Sequence, residues 1–132
     1  MDELADEDKL VSAWLRFWDP ELQDKAAIDA FSDVQATCMG KDAAAAWRII
    51  LKLVSAARTD RELGMIGVGP LEFFVGTHAD AWMDSIEEEA RRDPRFRYSL
   101  GDTFYAVMSE ERWRRVRDAV EPRRDHLLDT AP

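Results

Sequence analysis

The chain is poor in the residues that build chemical centres. Its 132 residues include one cysteine, Cys38, and two histidines, His78 and His126. A lone cysteine excludes an internal disulfide, and so few Cys and His residues cannot make a tetrahedral zinc site. No cofactor motif is present. No apolar run approaches the roughly 20 residues a membrane-spanning helix needs, so no membrane contact is expected. The opening MDELADEDK is acidic, whereas a secretory signal starts basic and then turns apolar; a cytoplasmic protein is the expectation. Positive charge is also scarce. Lys and Arg number 18 against 27 Asp and Glu, for a net charge of −9. Phosphate affinity comes from clustered positive charge, so no direct nucleic-acid binding is expected.

What is there is apolar residues at helical spacing. Hydrophobic residues make up 46% and charged residues 34%, an ordinary balance for a folded globular domain. Trp47, Ile50, Leu51, Val54 and Ala57 recur every three or four residues, and Ile49, Leu53 and Ala56 widen the stripe. A helix this apolar belongs at the centre of a fold. A first helix is read over 6–18 from Leu10, Val11, Trp14, Leu15 and Trp18, stopped by Asp19-Pro20. A second is expected from Pro20 or Glu21 to about Met39, with Leu22, Ala26, Ala27, Ile28, Phe31, Val34 and Cys38 facing inward. Asp42 caps the central helix. Thr59 or Asp60 caps a short one through Met65. A further helix runs over about 79–92 after a break at Gly76-Thr77-His78. The final helix runs from Ser109 to about Val120, with Trp113, Val116 and Val120 inward and its arginines outward. Residues 95–108 alternate like a strand but have no partner strand, so an irregular or helical turn is expected, then a short helix capped by Asp102 or Thr103. The fold class is all-α: a compact single-domain bundle of about six to eight helices over 1–120, similar to helical-repeat folds in its paired antiparallel helices, with a polar tail over 121–132.

Two segments offer sites. The first is the acidic N-terminal third, which carries 11 acids and 4 bases over residues 1–42. Asp24, Asp29 and Asp33 are expected on one outward helical face. They lack a fourth ligand and a calcium-loop spacing, so no metal is expected there. The second is Gly64 to Glu72, GMIGVGPLE. Its glycines match neither the dinucleotide fingerprint nor the P-loop, and no lysine follows. Gly67 and Gly69 permit a positive φ or a close backbone approach, and Pro70 is expected to start the next helix. A ligand site at this turn would draw on Glu62, Gly67, Gly69, Glu72 and His78. No frame of nucleophile, base and orienting group surrounds them, so no catalytic residue is assigned.

WRIILKLVSAA, IGVGPLEFF, the W-x-x-x-I helix at Trp82 to Ile86 and DPRFRYSL together resemble a family of small bacterial proteins known only as a domain of unknown function. The resemblance covers roughly Trp14 to Val120. It implies a compact helical fold and a bacterial or phage origin, and no activity. The expected function is a non-enzymatic protein-binding module whose acidic surface meets a basic protein partner, similar in size and charge to immunity-type and inhibitor proteins. The alternative is a small enzyme or ligand-binding domain with its site at the Gly64–Glu72 turn.

Overall fold

The structure is a computed structural model, and it describes residues 3–103, 109–120 and 127–128. The described residues form α1 (Glu3–Arg16), α2 (Lys25–Met39), α3 (Ala43–Ala56), α4 (Asp60–Ile66), a π-helical segment (Gly67–Leu71), α5 (Glu72–Arg92), α6 (Pro94–Leu100) and α7 (Glu110–Ala119). Among them there is no strand, and no helix is long and apolar enough to cross a membrane. The short helix expected over 104–108 lies outside the described residues, as does most of the 121–132 tail.

The central position of α3 follows from its stripe. Ala46, Ile49, Ile50, Leu53 and Val54 are buried, and α1, α2, α4, α5 and α6 all pack on it. Trp47 is half-buried and meets Phe74, Trp82 and Phe96 with ring centroids 5.4 to 5.5 Å apart. Asp42 caps the helix by accepting the Ala45 N–H at 3.0 Å. Its other end is held from outside. Arg95 donates through Nε to the Val54 carbonyl at 3.0 Å and through Nη2 to the Ser55 and Ala57 carbonyls. A guanidinium there satisfies carbonyls that have no helical partner and meets the negative end of the dipole. Arg58, just beyond the helix, turns to Glu62.

α2 begins later than its proline suggests. Pro20 lies in a turn, and Asp24 is the N-cap, its carboxylate accepting the Ala27 N–H at 2.8 Å. This side-chain cap satisfies a free backbone donor, which Pro20 cannot do. The later start leaves Leu22 outside the helix, 45% exposed. Ile28 is 50% exposed, because Ala27, Ala30, Val34 and Cys38 make the inward line.

The largest correction concerns the glycine segment. The chain does not turn there. Ile66, Gly67, Leu71 and Glu72 all have right-handed helical dihedrals, so α4, the π segment and α5 form one unbroken helix from Asp60 to Arg92. No described glycine has a positive φ. Pro70 sits inside this helix. Proline lacks an N–H, and its ring collides with the carbonyl four residues back in an α-helix; the wider π turn accommodates both defects. Gly69 precedes it, and a residue before proline resists the helical region mainly because of its Cβ. Gly76 and His78 likewise lie within α5 and do not break it.

Gly67 has a different reason. A Cβ there would lie 2.0 Å from the Ser99 carbonyl oxygen, and one on Gly64 would lie 2.8 Å from an Asp102 carboxylate oxygen. The two glycines let the end of α6 lie against the long helix, where Ser99 Oγ donates to the Leu63 carbonyl at 2.8 Å. Residues 94–100 are therefore a helix, capped by Asp93 through the Arg95 N–H. The segments GVGPLE and DPRFRYS pack against each other and frame the core.

Candidate functional site

The face of the π segment turned away from Ser99 borders an apolar cleft of about 200 Å³. Trp14 and Trp18 of α1 and its exit, Phe31 and Gln35 of α2, and Met65, Val68, Gly69, Pro70 and Phe73 of the long helix line it. Each contributor follows from local structure. Trp14 is fully buried, and Trp18 stands edge-on to it at 5.4 Å. Phe17 stacks on Phe31 at 4.5 Å and fixes the approach of α1 to α2. The three aromatics of α1 are thus partly core and partly cleft wall. The Trp18 indole N–H is buried without an acceptor.

The lining has no acid, base or nucleophile. Gln35 is its one polar side chain. Exposed apolar residues occur on the same two elements, the π segment and α2. Val68 is 47% exposed, and Ile28 and Met39 of α2 are 50% and 53% exposed. Ile28, Gln35 and Met39 are seven and eleven residues apart, so at about 100° per residue they return to nearly one helical line. Asp29 and Asp33 are exposed on the same helix, about 100° and 140° round its axis from Ile28. Trp18 and Met65 also form one wall of a second, more polar cleft of about 560 Å³ with Asp19, Pro20, Arg58, Thr59, Arg61 and Glu62.

A third cleft of about 660 Å³ lies between α1, Leu22 and the end of α3, with Arg16, Lys52 and Arg58 among its lining. Its cations are already engaged: Arg16 with Asp24, Lys52 with Glu7 and Asp8, and Arg58 with Glu62. The Asp8 carboxylate and, after it, Glu7 hold the Lys52 ammonium above its ordinary pKa. An incoming anion would have to displace these carboxylates.

The acidic trio divides. Asp24 is consumed as a cap and pairs with Arg16 at 3.5 Å; the Ala27 N–H, and then Arg16, hold its pKa below the usual carboxylate range. Asp29 pairs with Lys25 one turn back, and Asp33 is exposed. The alternative group is strung along one helix. Glu62 and His78 are separated by about 24 Å at 1.5 Å per residue. Glu62 is buried as part of the α4 N-terminus, accepting the Arg58 N–H at 2.6 Å, while Thr59 caps the Glu62 N–H. His78 packs its ring 5.1 Å from that of Phe74, and its Nε2 is buried without a partner. Of the five, only Gly69 borders the apolar cleft. Among the described residues no group of three or more His, Cys, Asp or Glu could hold a metal ion.

Sequence reasoning missed Met65, Val68 and Gln35 as cleft residues. A signal for the geometry was present: Leu63, Gly67, Leu71, Val75, Ala79 and Met83 recur every four residues, and all are buried. The first two steps, to Gly67 and Leu71, are where the helix widens into the π turn, and the later ones lie in ordinary α-helix.

A family model described as "Family of unknown function (DUF6869)" matches residues 19–123. No curated protein and no solved structure matches the chain.

Proposed function

The chain belongs to this family of unknown function, DUF6869, and within it we propose a non-enzymatic protein-binding module. It takes an apolar side chain of a basic partner into the cleft of Trp18, Phe31, Met65, Val68 and Phe73. The observation that carries this reading is the cleft itself: apolar, aromatic, open at the surface and free of groups that could move a proton. Sites with such lining and few polar groups bind, whereas catalysis needs positioned acids, bases or nucleophiles. Among the described residues, four of the five large exposed hydrophobic ones, Leu22, Ile28, Met39 and Val68, lie on α2, its approach or the π segment. Asp29 and Asp33, exposed on α2 in a chain of net charge −9, steer a positively charged partner and raise its on-rate.

The test is capture from the native host at rising salt with three variants. Val68→Asp blocks the cleft. Asp29→Lys with Asp33→Lys reverses these two charges. Glu88→Lys with Glu111→Lys changes net charge equally on other, exposed positions. One basic protein should be held by the native chain and the last variant, lost with the first two, and released as salt screens the α2 charges. Equal retention by all four proteins refutes the reading. Loss only with Val68→Asp, independent of salt, leaves the cleft and removes the charge steering.

A further inference from the structure

Asp80, Asp84 and Glu87 follow one another along α5 at spacings of four and three, which places them on one helical line. α7 lies across this line. Arg112 pairs with Asp80, and Arg115 bridges Asp84 at 2.9 Å and Glu87. The Glu87 and Asp84 carboxylates hold the Arg115 guanidinium further above its already high pKa. Apolar contact completes the seat: Val116 is 2% exposed, and Trp113, Ala119 and Val120 pack half-buried against the core. Arg112 and Arg115 therefore face the neighbouring helix, contrary to the sequence expectation of an outward basic face. Glu87 is taken up by Arg115, and Glu89 is buried against Arg92.

α7 is held differently from every other long helix. Its ten residues pack chiefly on α5, and Val116 is its one buried residue, against five in α3. An isolated helix shorter than about 12–15 residues is marginal in water, so α7 depends on its seat. Two of the three ion pairs that form the seat are exposed on the acid side, with Asp80 and Asp84 76% and 97% accessible, while Glu87 is 21% accessible. Exposed pairs of this kind contribute little and are screened by salt.

We propose that this face of α5 is a second docking site, occupied in the resting chain by α7 and open to an arginine-bearing amphipathic helix of a partner that displaces it. The occupant is defined by what already sits there: arginines at i and i+3 over three acids, with an aliphatic residue at i+4. A longer helix of the same pattern adds apolar contacts that α7 lacks, while breaking and remaking the same ion pairs. The site shares with the function proposed above only the basic character of the partner. Its test uses no α2 variant and no host partner, so either reading can fail alone.

The probe is a fluorescently labelled, end-blocked peptide of residues 109–120, titrated into the full chain and read by anisotropy. Arg112→Ala with Arg115→Ala weakens the resident helix, and this variant should bind the peptide at least tenfold more tightly than the native chain. Adding Asp84→Lys and Glu87→Lys should abolish that gain, as should raising salt. A folded Arg112→Ala/Arg115→Ala variant that binds no better than the native chain overturns the proposal, as does binding indifferent to the Asp84 and Glu87 reversals. Amide hydrogen exchange of the native chain keeps the idea testable should the variant unfold. The α7 amides should exchange at least a hundredfold faster than those of α3, and faster still at high salt; equal protection of the two helices overturns it.

Discussion

Replacing Gly67 with alanine tests the contact between the two segments that frame the core. The added Cβ would lie 2.0 Å from the Ser99 carbonyl oxygen and 3.0 Å from both the Ser99 carbonyl carbon and the Asp102 Cβ. Two of these atoms are backbone, and the Ser99 oxygen accepts the Asp102 N–H at 3.1 Å, so it cannot swing aside alone. α6 and the long helix must separate by about 1 Å to restore ordinary contact, as in other overpacked interiors. That motion strains the buried Ser99–Leu63 hydrogen bond. Overpacking costs about 1–3 kcal/mol, and a buried polar group left unsatisfied costs about 1–3 kcal/mol more. Alanine returns up to about 1 kcal/mol of helix propensity. The net expectation is a loss of about 3 kcal/mol, or about 10 °C in Tm for a chain of this size. Urea melts followed by circular dichroism measure it. Gly76→Ala is the control. Gly76 is exposed within α5, with nothing within 4 Å of its Cβ position, and alanine there should stabilise by about 0.4–1 kcal/mol. If Gly67→Ala also proves neutral or stabilising, the close approach of α6 is refuted.

Three further outcomes follow from named contacts. Arg95→Lys keeps the charge but loses the fork that spans the Val54, Ser55 and Ala57 carbonyls; it should cost about 1–2 kcal/mol in the same melts. Burial pushes the Cys38 thiol up to about 12, so iodoacetamide at pH 8 should leave it unmodified until denaturant is added; its linked stability is complete below the unfolded value near 9 and falls as pH rises from there toward about 12. The Arg48 hydrogen bonds, with Lys52 assisting, hold Glu7 below the usual carboxylate range. That contribution is full above the unfolded carboxylate pKa and is lost as pH falls through the lowered one. Glu7→Gln should therefore cost about 1 kcal/mol at pH 7 and progressively less below pH 4.

The central helix was legible because one pattern, apolar residues three and four apart, coincides with burial on nearly all sides. The cap at Asp42 was legible because an Asp before an apolar run has one obvious use. Competition between signals defeated the reading elsewhere. Pro20 and Asp24 both mark helix starts, and the cap with a side-chain acceptor prevails over the proline. Pro70 and three nearby glycines read as a break, but the sequence alone does not show that Ser99 needs the space at Gly67. The cleft was harder still. Trp18, Phe31 and Met65 come from three elements, and only the approach of α1 and α2 to the long helix makes them neighbours. The acids of α5 were visible as residues, whereas their pairing with α7 depends on a tertiary crossing.

The widened turn at Gly67–Leu71 also acts as a phase adjuster in a long screw. Upstream, the thread of the helix presents Leu63 and Ile66 to the core; downstream it presents Phe74, Val75, Ala79 and Met83. The turn between them takes up one surplus residue without disturbing the interior the two stretches share. Side-chain identity at its outermost position matters little to folding, since Val68 is half in solvent. Residue count matters a great deal. Excising Val68 would rewind the segment as ordinary α-helix, which advances by nearly the same angle in one residue fewer, so Phe74 and Ala79 would keep their places while Pro70 would be left in a narrow turn that cannot hold it. In this helix the chain's arithmetic is more constrained than its spelling: a position that should accept almost any substitution should not accept a gap.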